Sequence, residues 1–169
     1  MREPIDPPGL DFHRVSAKLI PLRFITLGIG ALVVILIGSL PLVLRTLGSW
    51  QKFPGALAWA LAIAALLAMG WRLALIPRQV RAIGYAERDD DLLIRRGLFF
   101  QRVMVVPYGR MQYVDVSVGP LERAFGLASV KMHTASASTN AALEGLPTDE
   151  AARLREQLSA RGEAKLAGL

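Results

Sequence analysis

The side chains that perform most enzyme chemistry are scarce in this sequence. Its 169 residues include no cysteine and only two histidines, His13 and His133, which excludes disulfides, cysteine-ligated metals and thiol catalysis. No HExxH metal motif, phosphate-binding glycine loop or nucleophile elbow is present. Asp89, Asp90 and Asp91 are adjacent on a predicted turn, where their carboxylates diverge instead of surrounding a cation. We therefore expect no enzymatic activity, metal, cofactor or small-molecule substrate.

Four basic residues form the first candidate binding site. Each basic residue near an anionic membrane surface contributes about 1 kcal/mol of attraction, so three or four can hold a tethered domain against a bilayer. The alternative is an ordinary solvated face beside the three aspartates. The candidates for this basic rim, which would contact lipid headgroups, are Arg95, Arg96, Arg102 and Lys131.

The distribution of charge argues against a nucleic-acid partner. The chain has 20 basic and 14 acidic residues, a net charge of +6. Residues 24–76 carry three basic and no acidic residue, so half of the excess lies beside apolar segments. A nucleic-acid binder concentrates lysine and arginine on a soluble face instead. Basic residues flanking apolar segments are typical of membrane proteins.

Two apolar segments predict a pair of membrane spans. Residues 24–44 form an uncharged run of 21 residues, which as a helix extends roughly 31 Å, close to the ~30 Å hydrocarbon core. Residues 53–76 form the second run, with Arg72 near its end where it can reach the headgroups. The short polar connection, residues 45–52, predicts an antiparallel helical hairpin.

A cleaved signal peptide and a buried soluble hairpin are the alternatives to membrane insertion of the first apolar segment. A signal peptide has a shorter apolar core, of about 7–15 residues, and here a second span follows at once. A hairpin buried in a soluble protein needs more chain around it than residues 77–169 provide. The sequence therefore predicts membrane insertion.

The positions of lysine and arginine predict the orientation. Basic residues are more frequent on both outer flanks than in the connecting loop, so both termini are predicted to be cytoplasmic. Trp50 and Trp71 fall at opposite interfaces, as amphipathic aromatic residues prefer. The basic residues concerned are Arg14, Lys18 and Arg23 before the spans, Arg45 and Lys52 between them, and Arg72, Arg78, Arg81 and Arg88 at or after the second.

Small residues recur at four-residue spacing in the second span, which allows another helix to approach closely. The interpretation favoured here is packing within the hairpin, and the alternative is contact with a second chain. The stripe consists of Ala56, Ala60, Ala64 and Ala68, with a weaker counterpart at Gly28, Ala31 and Gly38.

Residues 77–169 predict several antiparallel strands followed by one helix. Val114, Val116 and Val118 alternate with polar residues, which is typical of a half-buried strand. Thr148 begins the predicted helix, which ends near Gly162. A small barrel or sandwich with a helix over one open end fits this order. The further predictions are strands beginning at Ile83, at residues 92–94, 98–106 and around Val130, a turn at Arg96-Gly97, and a loop from Gly119-Pro120.

A series of motifs in this region resembles the bacterial pleckstrin-homology family of YdbS-like membrane proteins. Residues 107–127 are the specific part, and Met111 stands between Arg110 and Gln112 where the family usually has isoleucine. The resemblance covers roughly residues 80–160. The motifs are Tyr85, Leu92-x-Ile94-x-x-Gly97, Val106-Pro107-Tyr108-x-Arg110-Met111-Gln112-x-Val114, Gly119-Pro120-Leu121-x-Arg123-x-Phe125-Gly126-Leu127 and Gly145-Leu146-Pro147.

The resemblance implies a pleckstrin-homology-like split barrel of antiparallel strands closed by a C-terminal helix. Arg110, Gln112 and Arg123 are its candidate partner-binding residues, against the alternative that Arg110 and Gln112 only anchor the strand start. The expected divisions are a cytoplasmic N-terminal segment (1–23), spans 24–44 and 53–76, an external loop (45–52) and a cytoplasmic domain (77–169).

The expected function is that of a non-enzymatic interaction module in a bacterial cytoplasmic membrane. The domain would bind another membrane protein or its own copies. The second hypothesis is a sensor of anionic lipid headgroups that uses the basic rim. Fold alone does not choose between these.

Overall fold

The structure, a computed structural model, describes residues 10–48, 54–135 and 140–166. The chain divides into two compact units. One unit, residues 23–77, contains most of the two apolar helices. The other, which we call the soluble domain, combines residues 10–22 with residues 78–166. It is therefore assembled from both flanks of the helical unit.

Both predicted spans are helices that extend beyond their uncharged cores. Helix α1 is Leu19–Thr46 and helix α2 is Gly55–Arg81, with 28 and 27 residues. Each is long and apolar enough to cross a membrane, and only 6% of the most apolar stretch of each is buried. The predictions for Trp50, Lys52 and the start of the second span fall on residues outside the described ranges.

Pro77 lies inside α2, which therefore extends beyond residue 76, where the predicted second span ends. A proline lacks only its own N–H, and the residues after it can still donate to carbonyls one turn earlier. The Ala82 N–H donates to the Arg78 carbonyl at 3.1 Å. The helical backbone therefore continues past Pro77 and ends at Arg81.

Small residues do bring α1 and α2 together, but not the predicted stripe. A Cβ on Gly38 would lie 2.9 Å from the Cβ of Ala65, and Ala31 and Ala58 are buried. Ala58 is two positions from both Ala56 and Ala60, and residues two apart on a helix point about 200° apart. Because Ala58 faces α1, the stripe lies on the opposite, exposed side of α2. The interpretation of the stripe as the hairpin's packing face is therefore wrong, and contact with a second chain stays a prediction. The residues found exposed are Ala56, Ala60, Ala64 and Ala68.

The larger sheet of the soluble domain has four antiparallel strands in chain order. Charged residues 88–90 turn the chain between the second and third strands, and the predicted turn at Gly97 follows the third. The strands are β1 (His13–Arg14), β2 (Gly84–Glu87), β3 (Asp91–Arg96) and β4 (Arg102–Pro107).

Strand β1 corrects the predicted domain boundary. Sequence reasoning treats residues 1–23 as a separate segment, yet His13 pairs with Tyr85 and Arg14 with Gly84. The same segment buries Val15 and Leu19. A two-residue strand is too short to show an alternating pattern, which is why the sequence does not reveal it.

Strand β4 begins at Arg102 instead of Leu98. Gly97 has a φ of +109°, and a Cβ there would clash with the carbonyl oxygen of Phe100. The chain therefore doubles back tightly, and residues 97–101 form the connection between β3 and β4. The aromatic residues that suggested a longer strand lie in this connection.

The second sheet has three antiparallel strands, again in chain order. A short helix, α3 (Pro120–Phe125), joins the first two of these strands where the sequence predicts only a loop. The strands are β5 (Met111–Ser117), β6 (Leu127–Thr134) and β7 (Ala141–Pro147).

Helix α4 (Thr148–Leu166) follows β7 directly. It begins at Thr148 as predicted and buries Ala151, Leu154 and Leu158 completely. It continues past Gly162, where a Cβ would lie 3.6 Å from the carbonyl of Tyr108. Antiparallel strands followed by one C-terminal helix confirm the predicted fold class. The largest fully buried side chains of the soluble domain are Tyr108, Leu92, Leu93, Ile94, Leu127, Met132, Leu143, Leu146, Leu154 and Leu158.

Residues 15–19 are fixed to the soluble domain through Gly145 in β7. The Ser16 N–H donates to the Gly145 carbonyl at 2.9 Å. Gly145 has a φ of +78°, and a Cβ there would lie 3.0 Å from the Cβ of Leu19. Gly126 also has a positive φ, +66°, but nothing lies within 4 Å of its Cβ position. The two glycines therefore differ in crowding and not in backbone conformation.

Gly145→Ala is expected to lower the free energy of unfolding by about 2–4 kcal/mol, because it combines left-handed strain with overpacking against Leu19. Gly126→Ala, the matched control, adds only the backbone strain of about 1–2 kcal/mol. Urea titration of the full chain in detergent, read by hydrogen exchange in β6 and β7, measures both. Equal losses for the two variants would contradict the contact between residues 10–22 and β7.

Candidate functional site

Helix α4 is held to the larger sheet by hydrogen-bonded charges at its start. The Tyr85 hydroxyl donates to a Glu150 carboxylate oxygen at 2.5 Å. Arg153 bonds both Glu150 and Glu87, at 2.5 Å and 2.8 Å. One guanidinium thus links two carboxylates, one from α4 and one from β2, which fixes where the helix lies.

The far half of α4 is anchored by Tyr108, which is fully buried. Arg161 donates to the Tyr108 hydroxyl at 3.0 Å and to the Arg88 carbonyl at 2.9 Å. Lys165 pairs with Asp90 at 2.8 Å. Tyr85 and Tyr108, two residues of the motif series, therefore position the C-terminal helix, a role that sequence reasoning missed. Their occurrence in the motif series is the signal that could have indicated this role.

These contacts shift the ionisation of the groups concerned. The hydrogen bond from Arg153, followed by that from Tyr85, lowers the pKa of Glu150 to about 2. Burial, reinforced by the hydrogen bond to Glu150, raises the pKa of Tyr85 well above its usual range. Burial likewise raises the pKa of Tyr108. The anchoring network therefore keeps its carboxylate charged and its tyrosines neutral at physiological pH.

A groove runs between the anchored α4 and β5. It contains a cavity of about 220 Å³. Tyr113, one of its lining residues, is exposed and stacks on His133 with ring centroids 4.3 Å apart. The cavity is therefore open to solvent and has an aromatic wall. Its lining residues are Met111, Gln112, Tyr113 and Val114 from β5, and Leu158, Ser159, Gly162 and Glu163 from α4.

Gln112 lies at a β-bulge in this groove. Met111 pairs with Thr134 and Tyr113 with His133, so Gln112 is the extra residue between them. A bulge redirects the side chain that it carries, and Gln112 is exposed. Both the role of Gln112 in binding a partner and its alternative role, anchoring the strand start through hydrogen bonds to carbonyls, stay predictions.

Of the other two candidate partner-binding residues, Arg110 lies near Gln112 and Arg123 lies apart from it. Arg110 is exposed just before β5, and its carbonyl accepts from the Ala135 N–H at 3.3 Å. Arg123 is exposed on α3, beyond the far end of β5. At about 3.3 Å per residue along a strand, the length of β5 separates Arg123 from Gln112. The structure thus brings Arg110 and Gln112 to one end of β5 and leaves Arg123 at the other.

The motif around Arg123 has a structural role. Glu122 accepts the Gly119 N–H at 2.7 Å and the Ser129 hydroxyl at 2.6 Å. Pro120 occupies the first turn of α3, and Gly126 closes the helix with its positive φ. This arrangement satisfies the buried hydroxyl of Ser129 and turns the chain from β5 into β6.

The basic rim is brought together at one end of the larger sheet. Arg96 and Arg102 are register partners across the connection between β3 and β4. The Arg96 guanidinium donates to the carbonyl of Ala142, and Ala142 pairs with Lys131. The fourth member, Arg95, lies over the ring of Phe12 at 4.6 Å. Four residues that are separated in sequence by up to 36 positions thus share one region.

Two exposed phenylalanines lie in the connection between β3 and β4, which Arg96 and Arg102 flank. Phe99 is 71% exposed and Phe100 is 92% exposed. We call this pair the aromatic tip. Sequence reasoning placed both residues in a strand. The pattern that could have indicated the tip is a glycine, Gly97, followed by apolar residues and flanked by two arginines.

Comparisons with known proteins agree with this architecture. The family model described as "Bacterial PH domain" matches residues 19–162, which include α1, α2, strands β2 to β7 and most of α4. The chain belongs to the bacterial PH domain family. This membership confirms the resemblance to YdbS-like proteins.

A relative of this bacterial PH domain protein supports the same assignment. Over 75 residues the chain is 37% identical to "UPF0699 transmembrane protein YdbS" of Bacillus subtilis (strain 168). The match covers 44% of this chain and 46% of the relative, so it spans less than half of that protein. No solved structure matches the chain significantly.

Glu150→Gln is expected to lower the free energy of unfolding by about 1–2 kcal/mol at neutral pH, since Glu150 is only 27% exposed and pairs with Arg153. The carboxylate's folded-state pKa lies below its ordinary value of 4.5, so its contribution is complete above about pH 4.5 and is lost as the pH falls to about 2. Stability measured against pH by urea unfolding tests this.

In the variant, the unfolding free energy should change less than in the native chain between pH 5 and pH 2. Glu156→Gln is the matched control, because Glu156 is 75% exposed and its ion pair with Arg155 is long, at 3.8 Å. Such an exposed pair contributes little to stability. If Glu150→Gln and Glu156→Gln behave alike, α4 is not anchored through Glu150.

Proposed function

We propose that this chain is a multi-pass protein of the bacterial cytoplasmic membrane, with α1 and α2 as its spans and both termini in the cytoplasm. Strands β1 and β2 pair directly, although the two helices separate them in sequence. Strands of one open sheet lie on one side of a bilayer, so the chain crosses an even number of times. The greater number of basic residues on the outer flanks supports the cytoplasmic side.

Within this topology the soluble domain serves as a non-enzymatic interaction module. The observation that supports this best is the open edge of β5 beside the cavity at Gln112. Among the described residues β5 has a strand neighbour, β6, on one side only. The N–H and C=O groups of an open edge are available to an added strand. The cavity next to it accepts one side chain from such a strand, which supplies specificity.

The partner that fits this surface contributes an extended segment and belongs to the same membrane. The exposed amide of Gln112 offers it hydrogen bonds, and Tyr113 offers it an aromatic contact. Because the spans confine the domain to the bilayer surface, the effective concentration of a membrane-bound partner is high and a weak contact suffices. Such a partner is another membrane protein or a second copy of this chain.

Photo-crosslinking in native membranes tests the groove. A benzophenone amino acid in place of Tyr113, which is exposed and aromatic, should form an adduct with a protein segment. The same group in place of Leu121, an exposed residue of α3 outside the cavity, should not. Co-expression of two differently tagged copies distinguishes self-association from binding to another membrane protein.

Ser159→Arg should fill the cavity and reduce the Tyr113 adduct by about tenfold or more, which corresponds to about 1.4 kcal/mol of lost binding. Glu156→Arg, about one turn away on the exposed face of α4, should leave the adduct unchanged. An adduct that persists in Ser159→Arg, or crosslinks to lipid alone at position 113, would contradict the proposal that the groove binds protein.

A further inference from the structure

The two side chains of the aromatic tip lie outside the buried core of the described residues. Phe99 and Phe100 are 71% and 92% exposed, whereas the neighbouring apolar residues of β3, Leu92 to Ile94, are fully buried or nearly so. Large apolar side chains in such a position mark a contact with another apolar phase. The surroundings of the tip indicate which phase this is.

The conformation that displays the tip is held by the local backbone. Gly97 has a positive φ, and its position leaves no room for a side chain beside the Phe100 carbonyl. Strands β3 and β4 pair without interruption up to Arg96 and Arg102. The tip is therefore the end of a regular hairpin and projects the two aromatic rings beyond it.

Basic side chains lie immediately behind the tip. Arg96 and Arg102 face each other across the last pair of the hairpin. Arg96 also bonds the carbonyl of Ala142, whose register partner is the exposed Lys131. Apolar residues at the end, with cations one step behind them, match the order of layers in an anionic membrane: acyl chains first and phosphates next.

The strand register shows which end of the sheet carries this arrangement. Gly84, the first residue of β2, pairs with Arg95, near the end of β3. The chain reaches Gly84 three residues after α2 ends at Arg81. The aromatic tip therefore extends from the end of the sheet at which the chain arrives from its second apolar helix. The acidic turn at residues 89–91 lies at the opposite end.

We propose that Phe99 and Phe100 insert into the interface of an anionic bilayer, while Arg96, Arg102 and Lys131 bind the headgroup phosphates. Arginine suits this role because its guanidinium pairs with phosphate through two parallel hydrogen bonds. The inference deepens the hypothesis that the basic rim senses anionic lipid. It rests on the proposed membrane topology and not on the groove of β5, so either surface can fail without the other.

The test places a fluorescent probe on the tip of the full-length chain. The native chain has no cysteine, so Phe100→Cys labelled with a nitrobenzoxadiazole dye carries one probe. The chain is reconstituted in nanodiscs of phosphatidylcholine, alone or with an equal part of phosphatidylglycerol. Brominated acyl chains should quench the probe strongly in the anionic nanodiscs and weakly in the neutral ones. Asp89→Cys, labelled alike at the acidic end, should not be quenched in either.

Neutralising the cations should then release the tip. Arg102→Gln and Lys131→Gln, combined with the probe, should each lower the ratio of inserted to free tip about fivefold. Arg155→Gln on exposed α4 is the matched control and should leave the ratio unchanged. Raising the salt concentration should act in the same direction as the neutralising variants.

Three results would overturn the proposal. One is an aqueous probe signal at position 100 in both lipid compositions. Another is equal quenching in neutral and anionic nanodiscs, which would exclude a role for headgroup charge. The third is a probe that is shielded only in native membranes and stays aqueous in pure lipid, which would assign the aromatic tip to a protein partner.

Discussion

The pairing of β1 with β2 is the constraint on which the rest of the molecule depends. Two strands that neighbour each other in space are separated in sequence by two long apolar helices. The soluble domain is thus complete only when the segment before α1 and the segment after α2 pair with each other. Val15 and Leu19 then become part of its core. The helical hairpin is in this sense an insertion between two adjacent strands of one sheet.

The register of β2, β3 and β4 determines which features lie at each end of the larger sheet. Antiparallel register carries the β3–β4 connection to the end where β2 begins, and the acidic turn to the other end. Helix α4, held by Arg153 and Arg161, forms one wall of the groove beside β5. One region thus carries the arginines and phenylalanines that we propose to contact lipid, and another carries the open strand edge that we propose to bind protein. The two proposed surfaces are compatible with a module that is positioned by the membrane and bound by a partner.

Sequence reasoning predicts the parts that have long patterns. The apolar runs give α1 and α2, the alternating valines after Met111 give β5, and Thr148 gives the start of α4. It does not predict β1, whose two residues carry no period, or the outward face of the alanine stripe, since spacing does not say which face meets the other helix. Arg110 and Gln112 are identified as a motif, but the groove beside them requires the packing of α4, which no local pattern encodes.

Labelling from each side of the membrane tests most directly whether the segments before α1 and after α2 lie on the same side, as the pairing of β1 with β2 requires. Because the chain has no cysteine, Lys18→Cys, Leu47→Cys and Glu156→Cys each give one site for a membrane-impermeant maleimide. We predict that Lys18→Cys and Glu156→Cys react only in inverted vesicles. Leu47→Cys should react only in cells whose cytoplasmic membrane is intact and whose outer envelope admits the reagent. Reaction of Lys18→Cys and Glu156→Cys from opposite sides would contradict this topology, because β1 and β2 would then be unable to form one sheet.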